Sequence, residues 1–328
     1  MRKVLLVHTG GTLGMKGRRP NVLTPGAFFE TLQARVPELF RLAKIELELF
    51  SNFDSSEMQP ELWTRLGRGL FKKLKAFDGV VITHGTDTLA YTASALSFML
   101  PNVERPIVLT GAQRPLHEVR SDARLNLIDA VTAALDGPRE VTVCFDSHLY
   151  RGNRIRKVAV SEYDAFDSPN FQRLGVLGVN TQFEAGIKWR YKPQLLPELE
   201  PKVFVLKVYP GLDPQLPLML LPHVRGVVVE AHGAGNFPVS PVLGRSLLPF
   251  FEAAKKQGVA VVVVSQAHRN GVDLSLYEAG AAALKLGAIS AGDMTAACAT
   301  VKLMHGLAYF QGSSLKRYME RNVAGERT

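Results

Sequence analysis

The sequence has little of what would mark an unusual environment. Cysteine occurs twice in 328 residues, at Cys144 in "VTVCFD" and Cys298 in "TAACATV". That spacing suits neither a disulfide framework nor a metal site. Two isolated thiols in apolar runs read as buried and free, in a reducing compartment. No apolar run approaches the twenty residues a membrane span needs, and "MRKVLLVHTGG" has too short an apolar stretch for a secretory signal. A cytoplasmic location with no membrane partner is therefore expected. Low-complexity tracts and fixed-period repeats are also missing. With 46% hydrophobic and 21% charged residues, ordered globular structure is expected throughout. "GGTLGMKG" fits neither the dinucleotide fingerprint nor the phosphate-loop pattern, which disfavours a nucleotide cofactor.

Negative charge is in short supply: 39 Lys and Arg stand against 30 Asp and Glu, a formal net charge of +9. The basic residues are spread along the chain, with the densest cluster at "RGNRIRK" (151–157), and no common nucleic-acid module is visible. A solvated basic face accounts for most of this charge, and no specific nucleic-acid partner is expected.

Strand-like and helix-like runs alternate from the start. "KVLLV", "IELELF", "GVVIT", "PIVLT" and "VTVCF" predict strands; "PGAFFETLQARV", "ELWTRLGRGLFKKLKA", "LAYTASALSFML" and "DARLNLIDAVTAAL" predict the helices between them. In the second of these, Leu62, Leu66, Leu70 and Leu74 share one face. Uniformly apolar strands separated by helices predict an α/β fold with a mostly parallel sheet covered on both faces. The Pro-rich, charged stretch "KWRYKPQLLPELEPK" (188–202) suits a linker. Beyond it the alternation resumes with "VFVLKVY", "GVVVEAHG", the predicted helix "LGRSLLPFFEAAKKQG" and "VAVVVVSQ". The expectation is an N-terminal α/β domain over 1–187, a linker over 188–202, and a smaller C-terminal α/β domain over 203–328.

In an open parallel sheet, ligands bind at the carboxyl ends of the strands. Three polar clusters fall there. "HTGGTLG" places two glycines before Thr12, a geometry for exposed backbone N–H groups and equally for a plain turn. "FDSSEMQP" offers Asp54, Ser55 and Ser56, which suit a helix cap or a zwitterionic ligand. "HGTDT" offers Thr86, Asp87 and Thr88; one of them suffices as a cap, and the surplus invites a catalytic reading. His84 alone reads as a structural residue. A hydroxyl nucleophile needs a base. Lys157 in "RGNRIRKVAV" is a candidate, although by spacing alone it is an ordinary surface lysine.

Together, "TGGT", "DSS" and "HGTDT" at the ends of successive strands resemble the bacterial L-asparaginase family. "AYTASALSFML", "YRGNR" and "DAFDSPN" resemble its cytosolic, type I branch, with "YPG" and "DMT" matching more loosely in the C-terminal part. The resemblance implies that Thr12 attacks the side-chain amide of asparagine, releasing ammonia and leaving a β-aspartyl ester. Thr86, Asp87 and Lys157 would activate the water that hydrolyses it. Backbone N–H groups near Ala112 and at Thr86 would steady the oxyanion. Asp54, Ser55 and Ser56 would hold the α-carboxylate, and Asp87 the α-ammonium. The family implies no metal or organic cofactor, a larger N-terminal and a smaller C-terminal domain, and a homodimer or homotetramer whose active sites are completed by a neighbouring subunit.

Two positions depart from the family pattern. The mobile loop after the first threonine commonly carries a tyrosine, but "MKGRRPNVLTP" has none; Tyr277 in "LSLYEAG" is the expected substitute. Some type I members use a cysteine in an allosteric asparagine site, where "VSQAHRN" has Ala267, so allostery by that route is not expected. Rival readings are a tRNA-dependent amidotransferase subunit with the same core and a non-catalytic amino-acid binding module.

Overall fold

The computed structural model describes residues 1–15 and 25–328, and the chain divides into two compact units, Met1–Pro197 and Glu198–Thr328. The stretch "MKGRRPNVLTP", which lacks the family's tyrosine, lies largely outside the described residues.

In chain order the first unit contains β1 (Lys3–Gly10), α1 (Pro25–Arg35), α2 (Leu39–Leu42), β2 (Lys44–Phe53), α3 (Pro60–Lys73), β3 (Gly79–Thr83), α4 (Leu89–Met99), β4 (Ile107–Thr110), α5 (Ala123–Asp136), β5 (Val141–Phe145), β6 (His148–Arg151), β7 (Arg156–Lys157), β8 (Phe166–Asp167), β9 (Gly175–Leu177) and β10 (Thr181–Phe183). Its main sheet has the order β10-β9-β6-β5-β4-β3-β1-β2. The five strands from β2 to β5 are parallel, and β6, β9 and β10 add an antiparallel edge. Every residue of β3, β4 and β5 is buried, as the uniform Val/Ile runs require when both faces are covered. Val4, Leu6, Val81, Val108 and Cys144 face one core with Phe28, Leu32, Leu127 and Val131 of α1 and α5. The alternate residues face the other side of the sheet.

Helix α3 buries Trp63, Leu66, Gly67 and Leu70, with Leu74 following in a short 3-10 turn. The predicted leucine stripe thus drifts: Trp63 takes the place expected for Leu62, because 3.6 residues per turn carries an i, i+4 row round the helix. The sharp β5–β6 hairpin turns on Asp146 and Ser147, both at positive φ (48° and 56°), the geometry of a two-residue primed turn. Arg151 donates to the buried Glu140 through Nε at 2.6 Å, and Glu140 also accepts from the Ile187 N–H at 2.9 Å. Residues 188–202 form neither helix nor strand; Gln194 and Leu196 donate their N–H groups to Pro101 and Met99.

The second unit holds β11 (Val203–Lys207), α6 (Gln215–Leu220), β12 (Gly226–Ala231), α7 (Leu248–Gln257), β13 (Ala260–Ser265), α8 (Glu278–Lys285), β14 (Ile289–Ser290), α9 (Ala296–Tyr309) and α10 (Gly312–Glu320). A parallel sheet in the order β11-β12-β13-β14 packs Val227, Val229, Val261 and Val263 against Phe250, Phe251 and Ala254 of α7. The helix predicted from Leu243 begins only at Leu248, with Pro249 in its first turn, where proline's missing N–H is no loss. Lys302 on α9 and Glu326 of the C-terminal tail form an ion pair with both side chains fully buried. Among the described residues no helix is long and apolar enough to cross a membrane.

Candidate active site

The parallel order β2-β1-β3 makes the gap between β1 and β3 a topological switch point, where the chain leaves the two strands toward opposite faces and opens a crevice at their carboxyl ends. Both polar clusters carrying a threonine open from that edge. β1 ends in Gly10 and is followed by Gly11, at φ 115° and 84°, conformations that side-chain-bearing residues rarely adopt. A Cβ on Gly11 would lie 2.5 Å from the Cα and N of Gly85, and one on Gly85 would lie 2.6 Å from Cβ and Oγ of Ser55. A Cβ on Gly111 would lie 2.4 Å from the carbonyl oxygen of His84. Gly11 and Gly111 therefore let backbone pack on the backbone of 84–85, and Gly85 makes room for the Ser55 side chain. Thr12 follows Gly11, Thr86 follows Gly85 and Ala112 follows Gly111, so the contacts bring the three segments to one place.

Around Thr86 the side chains meet directly. Lys157 Nζ donates to Thr86 Oγ1 at 2.8 Å and to Asp87 Oδ1 at 2.5 Å. Lys157 arrives on β7, whose two-stranded ribbon with β8 pairs it with Phe166. Its side chain is largely covered, whereas that of Asp87 is 66% exposed and open to an incoming ligand. The Thr86 hydroxyl points toward Gln113 Oε1 at 3.4 Å, and Gln113 Nε2 donates to the carbonyls of Val160 and Glu162. Asp122 accepts from the N–H groups of Gln113 and Arg114, and Asn126 donates to the Gly111 carbonyl, fixing this loop over the start of α5.

Ser55 is buried, and its carbonyl accepts from the Thr88 hydroxyl at 2.7 Å, tying "DSS" to "HGTDT". Asp54 accepts from the Ser56 N–H at 2.9 Å; the bonds from Ser56 and the charge of Lys157 hold its carboxyl below the usual carboxylate range. Ser56 is exposed, Ala112 is buried, and Thr12 is half-buried, its hydroxyl without a hydrogen-bond partner among the described residues. Tyr277 lies in the second unit, half-exposed, at the residue before α8. Gln113, Asp122 and Asn126 are not singled out by the sequence; the only signal for them is the polar run that follows β4.

His84 serves the scaffold. Its Nδ1 lies 2.7 Å from the Gly85 carbonyl, which only accepts, so Nδ1 carries the proton and Nε2 accepts from the Thr92 hydroxyl at 2.9 Å. That hydroxyl in turn accepts from Trp63 Nε1. His8 is equally buried, beside Thr83 Oγ1 and stacked on Phe28 with ring centroids 4.1 Å apart. Burial drives both imidazoles from 6.5 down to about 4. Between those values the unfolded chain takes up protons that the folded chain refuses, so stability falls as the pH drops from 6.5 toward 4, by about 3 kcal/mol per ring. Asp129, raised to about 6 by burial, offsets part of this loss, since the folded state gains a proton there first. Urea unfolding at pH 7.0, 5.5 and 4.5 should show a steadily falling midpoint; a constant midpoint would contradict neutral, buried rings.

Among the described residues no group of three or more His, Cys, Asp or Glu is placed to hold a metal ion. The chain matches the family model "Asparaginase, N-terminal" over residues 3–191 and "Glutaminase/Asparaginase C-terminal domain" over 202–319. It is 37% identical to the L-asparaginase of Thermococcus kodakarensis, covering 99% of both chains, and the solved structure of that thermostable enzyme superposes with a TM-score of 0.92. It is 32% identical to L-asparaginase 1 of Escherichia coli K12, covering all of this chain and 98% of that one. A glutamyl-tRNA(Gln) amidotransferase subunit of Pyrococcus abyssi is 35% identical over 99% of this chain and 77% of its own length.

Proposed function

The chain belongs to the asparaginase family, a membership that makes it a hydrolase, and from it we propose a cytosolic, type I L-asparagine amidohydrolase that works through a threonine-linked acyl-enzyme. The observation that carries this reading is the convergence of Thr86, Asp87 and Lys157 beside the glycine contact that brings in Thr12.

In the first step Thr12 Oγ attacks the side-chain amide carbon, the C–N bond breaks, and the hydroxyl proton leaves with ammonia. In the second, water attacks the β-aspartyl ester. With Lys157 acting as the free amine, so that the Thr86 hydroxyl donates to Nζ, the water's proton passes to Thr86 while the Thr86 proton passes to Lys157, and Asp87 stabilises the ammonium so formed. That ammonium returns the proton through Thr86 to the Thr12 oxygen as the ester C–O bond breaks. Preorganised backbone N–H groups at Ala112 and Thr86 offset the oxyanion charge in both steps. Asp54, Ser55 and Ser56 take the α-carboxylate, and the exposed Asp87 takes the α-ammonium. Tyr277 of a neighbouring subunit, in a dimer or tetramer, assists Thr12. No cofactor takes part.

An ammonia assay with asparagine and glutamine tests the reading. Asparagine should be hydrolysed, and Tyr277→Phe should slow turnover; an unchanged rate removes Tyr277 from the mechanism. The amidotransferase relative supports a second reading, in which released ammonia serves a tRNA-bound substrate. Saturable tRNA binding with negligible hydrolysis of free asparagine would favour it.

A further inference from the structure

The second unit has a cavity of about 430 Å³ at the amino-terminal edge of its sheet, where β12, β13 and β14 begin. Its size lies in the range of small-molecule sites, roughly 300–1,000 Å³. Ligand crevices in parallel sheets lie at the opposite, carboxyl ends of the strands, so this cavity is no part of that arrangement.

Three cationic side chains line it: Arg225 ahead of β12, Lys255 in the last turn of α7 and Lys316 on α10. No aspartate or glutamate is among the lining residues. Lys316 has a loose pairing with Glu320 at 3.7 Å, and Lys255 donates to the Lys285 carbonyl at 3.2 Å. Among the described residues Arg225 has no ion pair. Like charges around one cavity repel one another, and a bound anion would offset that repulsion. The lining also includes Gly312 and Ser313, whose backbone N–H groups open α10 and have no acceptor within the helix.

The floor is apolar. Among its apolar lining residues Phe251 and Leu315 are buried, and Phe310 and Leu286 are half-buried. Gly258 and Gly287 leave their part of the rim without side chains, so a flat group can enter over backbone. A lining that combines several cations with aromatic and aliphatic side chains suits a ligand with a dianionic end and a planar body.

We propose that this cavity binds a small organic dianion with a planar aromatic group, the chemical class of a nucleoside 5′-monophosphate. The phosphate lies among Arg225, Lys255, Lys316 and the first N–H groups of α10, and the base lies on Phe310 and Leu286. The proposal is independent of the amide chemistry in the first unit.

Isothermal titration of the full chain with adenosine 5′-monophosphate, inorganic phosphate and adenosine tests it. The expected result is one saturable site for the monophosphate, with adenosine and phosphate each at least about tenfold weaker. Arg225→Gln and Lys316→Gln lie at the surface and should keep the wild-type circular dichroism spectrum while each weakens the monophosphate about tenfold, the scale of one charged hydrogen bond. Absence of binding at millimolar concentration would overturn the proposal. So would affinity unaffected by either substitution, or inorganic phosphate binding as tightly as the nucleotide.

Discussion

Thr12→Val is expected to lower the rate of ammonia release from asparagine on the order of 10⁴-fold or more, with no initial burst, because no ester can form. Lys157→Met should behave differently. It removes the group that donates to Thr86 and Asp87 in the resting site, and its steady-state loss is expected to be about 10²–10⁴-fold. Attack by Thr12 does not pass through Lys157, so one equivalent of ammonia per site should appear rapidly before turnover slows. Mass spectrometry of the quenched protein should then find one aspartyl group on the peptide carrying Thr12. Rapid-quench ammonia measurement separates the two cases. A burst in Thr12→Val, or multiple turnovers at the wild-type rate in Lys157→Met, would exchange or abolish the assigned roles.

Lys302→Met is expected to cost the folded state about 3–5 kcal/mol, the usual consequence of leaving a buried charge without its partner. Every donor on the Lys302 ammonium is used: Nζ reaches the Met319 carbonyl at 2.9 Å, the Arg321 carbonyl at 2.6 Å and the carboxylate of Glu326. Desolvation lowers the Lys302 pKa, and Glu326 opposes that shift. Glu326 also accepts from the N–H groups of Val323 and Ala324, so it folds the tail as well as balancing the charge. Glu326→Gln keeps an acceptor for those groups but leaves the buried Lys302 ammonium without its counter-charge, and should cost a similar amount. Thermal melts should show a midpoint lowered by about 10 °C for Lys302→Met. A change under about 2 °C would mean that water or backbone movement compensates the lost ammonium.

Legibility in the sequence follows interaction range. The parallel strands of the first unit announce themselves because each is a short apolar run between helices, and β3 and β4 are buried along their whole length. The clusters at 9–12, 54–56 and 84–88 stand out because polar residues there directly follow apolar strands. The antiparallel edge is not legible. β6, β9 and β10 are three or four residues long, too short to show a period, and only the distant pairing of β6 with β9 joins the two hairpins into one sheet edge. The β5–β6 turn uses Asp-Ser where Asn-Gly would have signalled a hairpin. Lys157 illustrates the limit within the site. Its neighbours in sequence make it an unremarkable basic residue, and only the β7–β8 ribbon carries it across 71 positions to Thr86. Helix α8, "EAGAAALK", is invisible for a different reason: its buried face is Ala279, Gly280 and Ala283, which give little apolar contrast.

The close approach of Gly11 to Gly85 has an evolutionary corollary. Main chain rests on main chain there, so the separation between the two reactive segments is a property of the polypeptide itself and not of any pair of side chains. Side chains elsewhere in the fold can then be exchanged without retuning that separation. What such drift cannot touch is the absence of a methyl group at two positions.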